Sequence, residues 1–371
     1  MKALCWNGPN DLRVERVPDP VLVNPHDVII KVALSSVCGS DLALIDGHVP
    51  AMRPGDIIGH EFLGVIVEKG PEVRHLNRGD RVVTMSVIGC GRCGHCRRGE
   101  SALCDNSNPN PDHARAAHGH CGAGVFGYSH AFGGYAGSHA DYVRVPYADF
   151  NAVRVPDGVS DERAVFLSDA VPTGYMAADM AGIRPGDVVA VWGCGGVGQM
   201  AIRSAYLLGA ERVIGIDRFS DRLRAAQMKA GAETLDHSRV DVFDALQAMT
   251  GGRGPDVCID AVGMVADRPA VPRQMIESCR KGGTLSIVGI HGGSIDSFPM
   301  GAAMHKGLTF RMGRQNGQRY AARLFEHVRD GALDPSYLMT HRLPLDDGPR
   351  AYRMFKEKAD GCLRVVFAPT G

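Results

Sequence analysis

The chain has 371 residues, with 41 Lys and Arg balanced by 41 Asp and Glu, so its formal net charge is zero. That balance, with no long basic or acidic run, argues against nucleic acid or a charged membrane surface as the main partner. No apolar stretch reaches the roughly 18 residues of a membrane span, and Met1-Lys-Ala-Leu-Cys-Trp6 shows no secretory signal, so a soluble, unprocessed protein is expected.

The length exceeds the usual size of one hydrophobic core, which predicts two domains and a cleft between them. From Met1 to about Ala148, short β-rich runs such as Val28–Val32, Leu63–Val67 and Arg81–Thr84 are separated by Gly, Pro, Asn and Asp. They read as an irregular β domain. At the edges of these runs lie Cys38-Gly-Ser40-Asp41 and Gly59-His60-Glu61, each offering a metal ligand with a polar companion. Taken alone, His60 reads equally as a hydrogen-bonded core histidine.

The strongest local signal follows, with Cys90, Cys93, Cys96 and Cys104 in one short stretch. Two x₂ spacings in succession suit four thiolates on one tetrahedral metal and strain most disulfides. Zn²⁺ held by four sulfurs has no vacant position, so such a site fixes a loop and does no chemistry. The other seven of the eleven cysteines are scattered without a framework spacing. A reducing cytoplasm is expected. Asn106–Gly137, rich in Gly, His, Asn and Ala with little periodicity, reads as a long surface loop and a functional insertion.

From about Val171 the pattern changes to buried strand, turn and helix. The strands are Val188–Trp192, Arg212–Ile216, Val257–Ala261 and Thr284–Val288, and the helices Val197–Leu208 and Asp221–Ala230. Alternating units predict an α/β fold with a parallel, doubly wound sheet. Gly193-Cys-Gly195-Gly196-Val197-Gly198 follows the first strand and opens a helix, and Asp217 closes the next strand 19 residues beyond Gly198. G-x-G-x-x-G alone is weak, but here strand, helix and acid stand in the places that dinucleotide binding needs. The helix N-terminus can accept a pyrophosphate, and Asp217 can bind ribose hydroxyls and repel the extra phosphate of NADP. That favours NAD, although Arg218 beside it is able to accept a 2′-phosphate. In the tail, helical Tyr320–Val328 and strand-like Leu363–Phe367 return to the first domain.

The two ligand motifs, the four-cysteine stretch and the glycine fingerprint, in this order, resemble the zinc-containing alcohol dehydrogenases of the medium-chain dehydrogenase/reductase family. The resemblance covers essentially the whole chain. It implies a β-rich, chaperonin-like catalytic domain (1–170 with 315–371) and a Rossmann NAD-binding domain (171–314). Two zinc ions per chain are implied, a structural one on the four cysteines and a catalytic one on Cys38, His60 and Asp169. Asp169 stands where the family has a second Cys, a departure similar to the glutathione-independent formaldehyde dehydrogenases; its plain alternative is the N-cap of a helix starting near Pro172. Three ligands leave the fourth position for the oxygen of an alcohol that gives hydride to NAD, of an aldehyde processed as its hydrate or by dismutation, or of a polyol or amino alcohol.

The resemblance also gives Asp41 as the acid orienting His60, and Glu61 as a residue approaching zinc from behind or else forming a buried ion pair. Ser40 is implied as the hydroxyl passing on the substrate proton, and Arg364 as a pyrophosphate ligand or a rim salt bridge. Ala43 replaces the family's relay histidine, leaving His48 or water for that step. A homodimer or homotetramer is implied, and β runs near Leu285–Ile290 are candidates to extend a sheet across a two-fold axis. The competing class is a non-catalytic nicotinamide-binding sensor, whose signature would be a lost zinc ligand or glycine loop. A zinc hydrolase would have no use for the dinucleotide fold.

Overall fold

Val28–Ser36, buried along most of its length, is the strand around which the first unit is built. The computed structural model describes residues 1–262, 270–292 and 298–369. Within them the chain divides into two compact units, Met1–Pro172 with Gln315–Gly371, and Thr173–Arg314.

In the first unit Val28–Ser36 pairs antiparallel with Glu61–Lys69, Tyr142–Val145 and Arg364–Phe367. Arg81–Thr84 and Ala152–Arg154 extend the sheet on one side and Met339–Leu343 on the other. Its apolar faces feed a core that includes Val28, Ile30, Phe62, Ile66, Val82 and Phe126. Phe62 and Phe126 meet edge to face at 5.4 Å, an arrangement worth about 0.5–1.5 kcal/mol beyond the area it buries.

Asn106–Gly137 is not the structureless surface loop that its composition predicts. It contains the helix Pro111–His118, the strand Gly124–Val125 paired with Val87–Ile88, and the 3₁₀ turn His130–Phe132. Phe126, Tyr128 and Ala131 from it are buried. A two-turn helix followed by a two-residue strand is too short to show a period.

The second unit is a six-stranded parallel sheet in the order Glu233–Asp236, Arg212–Asp217, Val188–Trp192, Val257–Asp260, Thr284–Ile287, Thr309–Met312. This is the doubly wound Rossmann order, with strand order reversing beside Val188–Trp192. Val188–Trp192 and Arg212–Asp217 read as apolar runs because helices cover parallel strands on both faces. One expectation changes here. Thr284–Ile287 is interior, and among the described residues the edges are Glu233–Asp236 and Thr309–Met312, with Met312 64% exposed. Among the described residues, no helix is long and apolar enough to cross a membrane.

Candidate active site

Antiparallel register brings the first two candidate ligands together. Ser36 pairs with Glu61. Cys38, two residues past one strand, and His60, one residue before the other, therefore leave the sheet at the same end. Asp169 comes from 131 residues beyond Cys38, after the 3₁₀ turn Val165–Ser168. Ser168 clips that turn to the sheet, its hydroxyl accepting from the Phe62 N–H at 3.1 Å and donating to the Thr84 carbonyl. The next helix starts at Ala170, two residues earlier than expected.

Cys38 Sγ lies 3.5 Å from Asp169 Oδ2, His60 Nε2 lies 3.8 Å from the same oxygen, and all three side chains are buried. A thiol, an imidazole nitrogen and a carboxylate oxygen within 4.8 Å of one another form a donor set that fits zinc on three protein ligands. The Asp169 carboxylate engages side chains: Oδ1 accepts from Ser86 Oγ at 2.8 Å and Gln315 Nε2 at 3.2 Å. Ser40 Oγ stands 3.4 Å from His60 Nε2.

Cys90, Cys93, Cys96 and Cys104 form the second cluster, their sulfurs also within 4.8 Å of one another. Every cysteine in the chain is free of a disulfide. Cys90 Sγ accepts from the N–H groups of Arg92 and Cys93 and from Asn106 Nδ2, at 3.3–3.5 Å, while Cys96 N–H donates to Cys93 Sγ at 3.4 Å. Burial opposes a thiolate at Cys90, but these donors outweigh it and hold the Cys90 pKa below the ordinary range. Such a nest of N–H groups fits four sulfurs closed around one ion.

In the second unit Gly193 takes φ +91, a left-handed turn closed to most side chains. A Cβ on Gly198 would lie 1.7 Å from the Gly193 carbonyl, so only glycine lets the helix Gly196–Leu207 start against the turn. Gly195 precedes that helix without a side-chain cap, leaving its N–H groups to a ligand such as a pyrophosphate. Asp217 closes the adjacent strand, Oδ2 accepting from the Cys194 N–H at 2.8 Å and Oδ1 from the Arg218 N–H at 2.7 Å. The acid is thereby tied to the glycine turn. Val197 enters the first turn of the helix, and the Arg218 guanidinium lies over the Phe219 ring, 4.9 Å from its centroid.

Two protein families match the chain, the alcohol dehydrogenase GroES-like domain over residues 24–157 and the zinc-binding dehydrogenase over residues 196–328. A zinc-type alcohol dehydrogenase-like protein of Bacillus subtilis (strain 168) is 37% identical over 390 residues, covering 100% of each chain. The solved structure of the alcohol dehydrogenase TADH from Thermus sp. ATN1 superposes with a TM-score of 0.88 at 34% identity, covering 99% of each chain. The chain belongs to the zinc-containing medium-chain alcohol dehydrogenases. A formaldehyde dismutase of Pseudomonas putida is another relative, 34% identical over 313 residues, 79% of this chain and 75% of that one.

Around the donor cluster of this dehydrogenase the charges are buried and paired. Asp41 Oδ1 lies 3.1 Å from His60 Nδ1, and Oδ2 accepts from the Cys38 N–H at 2.8 Å and the Tyr352 hydroxyl at 2.9 Å. Burial disfavours charge on both members, yet their attraction holds Asp41 below the carboxylate range and lifts His60 well above 6.5. Glu61 is buried, Oε1 accepting from the Ala170 N–H at 2.9 Å and Oε2 3.3 Å from Arg364 Nη1. Burial raises the Glu61 pKa to about 7, with Arg364 opposing and Asp169 adding to the rise.

Arg364 forms a buried ion pair and not the rim salt bridge expected as its alternative. Its side chain is buried, donates to the Val37 carbonyl and faces Glu61. In this dehydrogenase the guanidinium's partners lie within the first unit. His48 is exposed past the helix Asp41–Ile45, while Ala43 contributes no ionisable group.

Sequence reasoning missed several neighbours of the cluster. Tyr128, from the misread segment, meets the His60 ring edge-on at 6.1 Å and donates to the Ser40 carbonyl at 3.4 Å. Ser86, Gln315, Tyr352 and His139 also escaped, since each is a single polar residue whose partners are distant in sequence. Ser86 carried a weak local hint, since it and Thr84 are the hydroxyls in the otherwise apolar run from Val82 to Ile88.

Proposed function

We propose that this enzyme oxidises alcohols and reduces aldehydes with NAD, using a catalytic zinc on Cys38, His60 and Asp169 and a structural zinc on Cys90, Cys93, Cys96 and Cys104. The observation that carries the reading is the three-donor cluster, which leaves one position of a tetrahedron for substrate. Bound there, zinc supplies a Lewis acid that polarises the substrate oxygen and lowers an alcohol's pKa, and NAD supplies the hydride acceptor. The chain's own residues do the rest. Asp41 fixes the tautomer of His60 so that Nε2 is the donor atom. Ser40 Oγ, beside His60 Nε2, takes the alcohol proton and passes it to water, because Ala43 offers no relay group. Asp217, held by backbone N–H groups, receives the ribose hydroxyls and disfavours a 2′-phosphate. Two anionic ligands balance the ion's charge, and a carboxylate in place of a thiolate leaves it more electrophilic.

A second reading has a specific observation behind it, the Asp169 ligand position together with the dismutase relative. One aldehyde, as its hydrate, gives hydride to bound NAD and becomes the acid; a second aldehyde takes that hydride and a proton and becomes the alcohol. A panel of alcohols and aldehydes followed by NADH absorbance, with NAD and NADP side by side, tests the first reading. Equal amounts of acid and alcohol from aldehyde alone, with no net NADH, identify the second. No turnover on any member of the panel would remove both.

The working form is proposed to be a homodimer or homotetramer, with the exposed edge Thr309–Met312 as the strand available to a second copy. A reducing cytoplasm suits a chain whose cysteines are all unpaired.

A further inference from the structure

A carboxylate has two oxygens to satisfy where a thiolate has one sulfur, and this difference is visible around Asp169. Oδ2 faces Cys38 Sγ and His60 Nε2, while Oδ1 points to Ser86 and Gln315. We propose that Ser86 and Gln315 are positioning residues that hold Asp169 as a one-oxygen ligand and so commit this site to a carboxylate over a thiolate. The inference rests on the reading that Cys38, His60 and Asp169 bind a metal.

The hydrogen bonds converge on Asp169 Oδ1. Ser86 Oγ donates to Asp169 Oδ1 at 2.8 Å and accepts from Gln315 Nε2 at 2.5 Å. Gln315 Nε2 is also 3.1 Å from the Ser168 carbonyl and 3.2 Å from Asp169 Oδ1. Both of those atoms are acceptors only, so the amide must present its nitrogen, which settles which way Gln315 is turned. Ser86, Gln315 and Asp169 are 2%, 4% and 8% exposed, leaving little water to substitute for a lost partner.

The local sequence makes room for this arrangement. Ser86 lies between the strands Arg81–Thr84 and Val87–Ile88, and its own N–H donates to the Ser168 carbonyl at 3.2 Å. Gln315 lies two residues before the helix Gly317–Arg329, whose N-cap is Asn316. A Cβ on Gly317 would come within 2.4 Å of Gln315 Oε1 and 2.7 Å of Met85 Sδ, so glycine there lets Gln315 fold back toward Asp169. A cysteine at position 169 would present one sulfur, a weaker acceptor than a carboxylate oxygen, so the Ser86 hydroxyl would lose its strong acceptor while Gln315 Nε2 kept the Ser168 carbonyl and Ser86 Oγ.

The test follows the release of zinc to a chelator from the purified, zinc-loaded enzyme, together with the visible spectrum after cobalt exchange. Ser86→Ala and Gln315→Leu should each speed release of one of the two zincs about 10–100-fold, as loss of a ligand's supporting partner typically does. Ser86→Thr keeps the hydroxyl and should restore both the slow release and the cobalt spectrum. With Asp169→Cys the Ser86 hydroxyl has no carboxylate to hold, so adding Ser86→Ala should no longer speed release. Retention of the four-cysteine zinc shows that a variant is folded, and Gln315→Leu carries the test should Ser86→Ala fail to fold. Wild-type release rates in both single variants, or equal acceleration in the Asp169→Cys background, would overturn the inference while leaving the metal reading intact. A wild-type enzyme holding one zinc would overturn both.

Discussion

Asp41 Oδ1 sits 3.1 Å from His60 Nδ1, which leaves Nε2 of the same ring facing Asp169 Oδ2 at 3.8 Å. An imidazole held at one nitrogen can offer the other as a ligand in one orientation only, and the buried Asp41 is itself gripped by the Cys38 N–H and Tyr352. Asp41→Asn should therefore cost about 10–100-fold in zinc affinity or turnover. Zinc per chain after dialysis, measured beside kcat, checks this, and unchanged values of both would show that Asp41 plays no part in orienting the histidine.

The two donor clusters differ in openness and should differ in lability. Four sulfurs close a tetrahedron, whereas Cys38, His60 and Asp169 leave a position free for a competing chelator. Metal analysis during mild chelation should show activity disappearing while about one zinc per chain remains. Simultaneous loss of both ions would place them in equivalent sites.

Asp217 supports the glycine turn, accepting from the Cys194 N–H, and is proposed to bind the ribose as well. Asp217→Ser should weaken NAD relative to NADP by roughly 1–3 kcal/mol, since a charge-assisted bond and a phosphate repulsion vanish together. The ratio of kcat/KM for the two cofactors reports it. If wild type already prefers NADP, Arg218 decides the choice.

His139 makes acid stability a readout of burial. Tyr352 donates to Asp41, so its oxygen accepts from His139 Nε2 at 2.8 Å, and His139 Nδ1 accepts from the Ser35 hydroxyl at 2.7 Å. This is a neutral imidazole with both nitrogens satisfied, and burial, the main cause, pulls its pKa down to about 4. Above 6.5 the folded and unfolded chains both hold it neutral and it contributes no slope. As pH falls from 6.5 toward 4 the unfolded chain gains a proton that the folded one refuses, so stability is lost, by at most about 3 kcal/mol. Melting curves across that window should fall less steeply for His139→Gln than for wild type; parallel curves would contradict a buried neutral His139.

What could be read in the sequence was local. Val188–Trp192, the glycine turn and Asp217 announced themselves because a buried parallel strand is an unbroken apolar run and the turn has fixed spacing. The four cysteines did so because their ligand spacing is short. Cys38 and Asp169, 131 residues apart, could be joined only through family resemblance. Ser86, Gln315 and Tyr128 were invisible for the same reason, their roles arising from register and long-range packing. Asn106–Gly137 misled because glycine-rich composition masks elements of one or two turns, and Leu285–Ile290 because an interior strand and an edge strand have the same apolar pattern.

Glu61 and Asp169 are neighbouring buried acids with different partners, and replacing each by its amide separates ligand from support. Glu61 faces Arg364 and the Ala170 N–H, so Glu61→Gln should keep both zincs and lose about 10–100-fold in turnover. Asp169→Asn keeps the size of the side chain but removes the charge that faces Cys38 and His60. The decisive measurement is zinc content with turnover for Asp169→Asn: one zinc per chain and almost no activity is the expected result, while two zincs and full activity would contradict the assignment of Asp169 as a catalytic metal ligand.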